Sequence, residues 1–206
     1  MIKGIEKRTK LALWVSAFAI LIMAFQWTII DWITPFLMMP LMLAVFVIFL
    51  TGVGFSLSCL FKFKEIRWLA TIPLAIQLVA FAILELVPFT KLWIDADFHL
   101  YESQRQEVVQ RVYSGELISN VKHNSSLIAL GSEYSKISMG GNEIVVQDIE
   151  GLKYVFFFTF RGILDNYSGF LYVPDGGDPR NYADLDEDDV TQIIKYADNW
   201  YYTSHH

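Results

Sequence analysis

Cysteine and histidine are scarce in this chain of 206 residues. The single cysteine, Cys59, lies in an apolar run, which excludes a disulfide framework and a thiolate metal site. His99 and His123 have no second donor at metal-ligand spacing, and the remaining histidines, His205 and His206, end the chain. We therefore predict that the protein holds no metal and no cofactor.

Catalytic motifs are missing as well. Ser125 and Ser126 do not stand in the sequence context of a nucleophile elbow, and no glycine-rich loop suited to phosphate is present. We predict no catalytic residue and expect that the protein is not an enzyme.

Basic charge is depleted in the second half of the chain. Residues 88–206 hold nine Lys and Arg against eighteen Asp and Glu, whereas residues 1–87 hold seven against four. A nucleic-acid partner needs a basic footprint, so the acidic half argues against one.

Long apolar segments dominate the first half. They run over 11–30, about 37–61 and 68–89, and Glu85 is the only ionisable residue of the third. Each is long enough, at 1.5 Å per residue, to cross a hydrocarbon core of roughly 30 Å as a helix. The sequence therefore predicts three transmembrane helices and a lipid bilayer as the first partner.

The basic residues flanking these segments indicate an orientation. Four precede the first segment and three lie in the second connection, 62–67, while the first connection has none. Under the positive-inside rule the N-terminus is cytoplasmic, and an odd number of crossings places the C-terminal part outside. We predict a bacterial inner-membrane protein whose C-terminal domain is periplasmic or extracellular.

Residues at the outer membrane interface follow from this orientation, because indole rings favour the headgroup level. Trp27, Trp32 and Trp93 fall at the predicted outer ends. Asp31 and Glu85 lie near the same ends, where a wet interface accounts for them more simply than an ion path does.

Composition also divides the chain into two domains. All ten tyrosines lie at or beyond Tyr101, and five of the six tryptophans precede residue 94. We predict a three-helix anchor over 1–91 and a soluble domain over 92–206.

The soluble domain is predicted to be α+β. Helical spacing covers 95–113 and ends at Gly115, and period-two patterns then indicate an antiparallel meander. Asp186 to Asp189 resemble the start of a second helix, with an apolar face of Val190, Ile193, Ile194 and Ala197. The predicted strands cover 127–130, 134–139, 143–149, 152–160 and 169–173, with turns at 140–142 and 150–151, and a last strand or docked tail is expected over 199–202.

The strand over 153–160 is apolar on both faces, since Phe156, Phe158 and Phe160 alternate with Val155 and Phe157. The first helix is expected to cover one of these faces. The other face must then be buried by a second helix, a curled sheet or a partner.

Two loops are candidate binding sites. The loop over 161–169 offers Arg161, Asp165, Asn166 and Tyr167, although a local turn would explain the same residues. A second, acidic loop begins at Asp175 and Asp178 and continues through 184–189. Calcium is one interpretation of it, and helix capping with a solvated loop is the simpler one.

Two functions remain open. The architecture is similar to that of many bacterial inner-membrane accessory proteins, including some immunity proteins, which favours a non-enzymatic binding protein with a protein partner. The alternative is a homo-oligomeric membrane effector or sensor that forms or gates a pore.

Overall fold

The structure of the protein, a computed structural model, describes residues 2–162, 166–182 and 190–205. The chain divides into two compact units, 1–93 and 94–206. We call the first the helical unit and the second the sheet unit. The order of elements is α first and β afterwards, with the antiparallel sheet that the sequence predicts.

The helical unit contains three long helical stretches and one short helix. Its elements are α1 (Ile2–Ala24), α2 (Gln26–Leu60), α3 (Phe63–Ile66), a 3₁₀ turn (Arg67–Ala70) and α4 (Ile72–Leu86). A further helix, α5 (Phe89–Tyr113), begins in this unit and continues into the sheet unit.

The first reversal of the chain lies inside α2, at Thr34. This residue has φ 72° and ψ 154°, which are not helical angles. The following Pro35 disfavours helical geometry at the residue before it, which explains the break. The junction of α1 and α2 at Phe25 is milder, because hydrogen bonds from Phe25 N to Leu21 O (3.0 Å) and from Ile29 N to Phe25 O (2.9 Å) bridge it.

Two stretches of the described chain are long and apolar enough to cross a membrane, Gln26–Leu60 and Phe63–Leu86. This is a statement about length and composition. The first of the three predicted segments, 11–30, is divided between α1 and the first turns of α2.

Each long helical stretch runs antiparallel to the one before it in the chain. The part of α2 after Thr34 therefore runs opposite to α1, and α4 runs opposite to α2. Ala19 of α1, Val45 and Phe49 of α2 and Ala80 of α4 form one buried cluster. Near the start of α1, the Arg8 guanidinium donates to the Ser58 hydroxyl near the end of α2. The start of α1 and the end of α2 therefore lie at the same end of the bundle.

A second cluster at that end joins Ile5 of α1 to Ile66 and Ala70 in the second connection. The opposite end is aromatic. There Trp27 Nε1 donates to Thr90 Oγ1 at 3.2 Å, and the rings of Trp27 and Trp93 lie 6.0 Å apart. The bundle thus has a basic end, carrying both basic stretches of the sequence, and an aromatic end.

Within the described residues, the sheet unit is built on one antiparallel sheet of six strands in the order β1-β2-β3-β4-β6-β5. The tight turn of the β2–β3 hairpin uses Glu150 and Gly151, both at positive φ (55° and 82°), as the sequence predicts. The strands are β1 (Leu127–Ala129), β2 (Glu143–Ile149), β3 (Leu152–Arg161), β4 (Tyr167–Tyr172), β5 (Val190–Ala197) and β6 (Trp200–His205).

The predicted strand over 134–139 is wrong. A 3₁₀ turn occupies Ser132–Tyr134, and the next residues continue as turns. Two of them still contact β3, since Met139 N donates to Phe158 O at 2.8 Å and Phe158 N donates to the Ser138 hydroxyl at 3.0 Å. The apolar pattern reflects burial of Tyr134 and Ile137 rather than a continuous strand.

The predicted second helix is also wrong, so only α5 accompanies the sheet within the described residues. Val190, Ile193, Ile194 and Ala197 belong to β5, which pairs with β6 along its length. β-branched residues favour a strand, and Asn199 at φ 66° closes the hairpin. The acidic residues 184–189 lie outside the described residues.

Both faces of β3 are buried within the unit. On one face, Phe98 of α5 contacts Phe170 at 5.0 Å between ring centroids, and Phe157 contacts Trp200 at 5.7 Å. The opposite face carries a separate buried cluster, made of Tyr154, Phe156, Phe158, Leu171, Val173 and Tyr182. The doubly apolar strand therefore needs no partner for its burial.

Candidate functional site

An open cavity of about 580 Å³ lies on the face of the sheet that α5 does not cover. Its position follows from the β3–β4 hairpin, where a bulge between Phe158 and Phe160 shifts the register before the pairing ends at Arg161 and Tyr167. Gly162 N donates to Asn166 O at 2.7 Å and closes the connection. The described lining residues are Asn124, Ser126, Leu127, Val145, Gln147, Phe158, Arg161, Gly162, Asn166, Tyr167 and Tyr182.

The cavity carries one cationic side chain among these lining residues, Arg161. Its guanidinium forms an ion pair with Glu143 at 2.8 Å and lies over the ring of Phe158 at 5.1 Å. The ion pair offsets the positive charge and fixes the planar group at the rim. The described lining is therefore close to electrically neutral.

Aromatic rings form the rest of the wall. Tyr182 stacks on Phe156 at 5.6 Å, and Tyr167 stacks on His205 at 4.2 Å with an interplanar angle of 12°. Stacked rings restrict each other's rotation, so contacts within the protein fix this wall.

Amide and hydroxyl groups complete the lining, at Asn124, Ser126, Gln147 and Asn166. Asn124 Oδ1 also accepts a hydrogen bond from Ser126 N at 3.0 Å, which fixes the approach to β1. Amides both donate and accept hydrogen bonds, and the rings offer apolar contact. The arrangement suits an uncharged group that combines an apolar body with polar atoms.

Three of the predicted binding residues, Arg161, Asn166 and Tyr167, line this cavity. Asp165 lies outside the described residues. Asp178 lines a second depression of about 530 Å³, together with Arg180, Lys195 and four others.

Asp175 and Asp178 have local structural contacts. Asp175 Oδ1 accepts a hydrogen bond from the Asn199 side chain at 2.8 Å, and Asp178 Oδ1 accepts one from Arg180 N at 2.9 Å. Within the described residues, no three His, Cys, Asp or Glu side chains are grouped so that they could hold a metal ion. The calcium interpretation involved 184–189, which lie outside this range.

The predicted interface residues lie towards the aromatic end of the helical unit. Trp27 and Trp93 contact each other there, and Trp32 and Asp31 are exposed just before the reversal at Thr34. Glu85 is exposed in the last turn of α4.

Sequence reasoning missed the buried pair of Arg105 and Asp97, both on α5. Arg105 also donates to Ile137 O at 3.1 Å and lies over the ring of Phe170 at 4.6 Å. Burial lowers the pKa of Arg105 and raises the pKa of Asp97, and the opposite charge of each partner counteracts both shifts. The sequence does contain a signal for the burial of Arg105, because position 105 falls on the same helical face as the apolar residues Phe98 and Val109.

Several tyrosines of the sheet unit are held in their neutral form. Burial, with Tyr172 and Asp175 nearby, raises the pKa of Tyr113 to about 12. Burial and a hydrogen bond of 2.7 Å to Asp95 raise the pKa of Tyr196.

No family model matches this chain, and no curated protein and no solved structure is similar to it at a significant level.

Proposed function

We propose that the protein is a non-enzymatic binding protein, anchored in the bacterial inner membrane by its helical unit, whose sheet unit captures a protein partner outside the cytoplasm. The observation that carries this proposal is the open, neutral and aromatic-lined cavity on the sheet face that α5 does not cover. Within this proposal the role is of the accessory or immunity type, on the likeness of the architecture to that of bacterial inner-membrane accessory proteins.

Membrane insertion is supported by where the helical unit places its apolar side chains. Of the 31 large apolar residues exposed in the described chain, 27 lie before residue 94. A water-soluble bundle would bury such residues, whereas lipid tails solvate them. The uncharged run 11–30 adds a third crossing to the two candidate spans, since hydrogen bonds bridge the helix at Phe25.

The orientation is supported by the two ends of the bundle. The basic N-terminal stretch and the basic second connection meet at one end, and the chain leaves the bundle near Trp93 at the other. Lys and Arg are retained on the cytoplasmic side, while indole rings settle at the interface. The sheet unit is then periplasmic or extracellular.

The chemistry of the partner follows from the cavity and the charge around it. The described lining favours an uncharged side chain that carries both a ring or an aliphatic body and a polar atom, such as tyrosine or glutamine. The acidic surplus of residues 88–206 would speed association with a basic protein.

A double variant at the cavity tests this proposal. Gln147→Ala with Arg161→Ala removes an amide and the cation from the lining, and we expect at least tenfold less co-purifying partner after mild extraction. The matched control is Gln110→Ala with Lys136→Ala, which changes exposed side chains elsewhere. Native mass spectrometry gives the stoichiometry. Equal recovery from both variants, or no foreign chain with the natural protein, would contradict the proposal.

A second candidate function, a homo-oligomeric effector or sensor that forms or gates a pore, is favoured by a different observation. Gln77 of α4 and Ser16 of α1 are buried in the bundle, and the polar atoms of their side chains have no hydrogen-bond partner there. Unpaired polar groups are costly in lipid, and an assembly in which the helices of several copies repack would bring these side chains to a shared interior with hydrogen-bond partners. A monomeric particle in detergent and intact liposomes would exclude this candidate.

A further inference from the structure

The second connection of the helical unit alternates exposed aromatic and basic side chains. Phe61 and Trp68 are 92% and 76% exposed, and Lys62, Lys64 and Arg67 between them are exposed as well. The Trp68 indole favours the headgroup level of a bilayer, the Phe61 ring favours its apolar interior, and cations favour its anionic surface. The connection therefore carries both signals in eight residues.

Packing holds this connection in a defined place. Ile66 is buried against Ile5 and Ala70, and Phe63 contacts Trp68 edge-on at 5.8 Å. Arg67 lies at φ 50°, in the left-handed region, and reverses the chain towards α4. Its cationic neighbours consequently project from a fixed turn rather than from a loose loop.

The start of α1 adds further positive charge at the same end. Lys7 and Lys10 are exposed there, and Lys10 pairs with Glu6 at 2.7 Å. Arg8 turns inward, where it donates to Phe55 O at 3.5 Å and to the Ser58 hydroxyl. Over residues 4–10 and 61–70 together, six basic side chains face two acidic ones.

We infer that this basic end binds the headgroup of an anionic phospholipid in the cytoplasmic leaflet. Lys62, Lys64 and Arg67 would donate hydrogen bonds to the phosphodiester oxygens, while Trp68 would contact the glycerol region and Phe61 the acyl chains. Exposed apolar side chains beside the turn offer a surface to the acyl chains, which a free phosphate ion lacks. The inference rests on the proposed membrane insertion and is independent of the protein partner.

Lipid retention on the full-length protein tests this inference. The protein is exchanged into nanodiscs of phosphatidylcholine containing one-fifth phosphatidylglycerol, extracted, and examined by native mass spectrometry. We expect preferential retention of phosphatidylglycerol, with a loss of about tenfold or more in the variant K62Q/K64Q/R67Q. The control variant K122Q/K136Q/K195Q removes the same charge from the sheet unit and should retain the lipid.

Two further arms separate the possible sources of the effect. Inorganic phosphate at millimolar concentration should not displace the lipid, whereas displacement would show a simple anion site and overturn the inference. The variant K62R/K64R preserves charge and should retain phosphatidylglycerol.

If K62Q/K64Q/R67Q fails to insert, the natural protein alone still tests the inference, because equal retention of phosphatidylcholine and phosphatidylglycerol would refute it. A chain that alkaline carbonate washes from membranes would instead refute membrane insertion itself.

Discussion

The two units of this protein differ in where they place large apolar side chains. The helical unit exposes most of its large apolar side chains and keeps small ones such as Ala19 and Ala80 inside, whereas the sheet unit buries Phe156, Phe157 and Phe170 completely. Close packing of small residues suits helices in lipid, and large apolar cores suit domains in water. The contrast is what the proposed membrane insertion predicts, with lipid around the helical unit and water around the sheet unit.

A matched pair of phenylalanine truncations tests the contrast most strongly. Phe157→Ala empties a fully buried site in the sheet, and we expect a loss of about 3–5 kcal/mol in the free energy of unfolding. Phe46→Ala changes a side chain of α2 that is 58% exposed, and a loss below about 1 kcal/mol is expected in detergent. Chemical denaturation in mild detergent measures both. Similar losses at the two positions would remove the contrast.

The buried ion pair of the sheet unit gives an effect of similar size. Arg105→Met leaves Asp97 buried without its partner, which should cost about 3–5 kcal/mol. Hydrogen exchange of the β3 amides measures the loss in the sheet unit, and α2 should be unaffected. The double variant Arg105→Met with Asp97→Asn should recover part of the stability. An Arg105→Met protein as stable as the natural one would show that the pair is not needed.

Two glycines of α2 probe the close packing of the helical unit. A Cβ at Gly52 would lie 2.9 Å from Gln77 Nε2 and 3.1 Å from a Val15 methyl, whereas a Cβ at Gly54 meets nothing within 4 Å. We expect Gly52→Ala to lower stability in detergent by about 1–2 kcal/mol. Gly54→Ala should be neutral or stabilising by up to about 1 kcal/mol, since alanine favours helix. Thermal unfolding of the pair decides, and a larger loss at Gly54 would contradict the packing.

Alkaline pH should destabilise the sheet unit and spare the helical unit. The expected loss of stability for each ionising group is the smallest of these effects. A tyrosine whose pKa is raised in the folded state holds its proton more tightly there, so its stabilisation is complete below the unfolded pKa of about 10 and is lost as pH rises through the folded value. For Tyr113 that window runs from about pH 10 to about 12. The helical unit has no tyrosine.

Circular dichroism and tyrosinate absorbance between pH 8 and 12 follow this separation. Loss of the sheet signal should accompany late tyrosine ionisation, and Tyr113→Phe should shift the transition to higher pH. Simultaneous loss of helix and sheet signals near pH 9 would contradict the assignment.

The order of helices and strands could be predicted from sequence because apolar periodicity changes sharply near residue 124.

The strand β5 could not be predicted from sequence. Asp186 to Asp189 resemble a helix start, and only the pairing of β5 with β6 decides that Ile193 and Ile194 lie on opposite faces of a sheet. Pairing between strands is a tertiary property, which local propensity does not contain.

Only the part of the candidate site that is contiguous in sequence could be predicted, because the rest depends on strand pairing. The mixture of charge, amide and ring over 161–169, where β3 connects to β4, pointed to Arg161, Asn166 and Tyr167. The contributions of Asn124, Ser126 and Gln147 come from distant positions that the sheet brings together. Glu143, which offsets the charge of Arg161, lies 18 residues away in sequence.

Cysteine accessibility in intact cells tests the central claim, that a membrane separates the basic end of the helical unit from the sheet unit. Cys59 is first replaced by serine, and a single cysteine is introduced by Ser135→Cys in the sheet unit or by Glu65→Cys at the basic end. A membrane-impermeant maleimide is then added to spheroplasts. We predict labelling at position 135 before lysis and at position 65 only after lysis. Labelling of both positions before lysis, or recovery of the protein in the soluble fraction, would contradict the account.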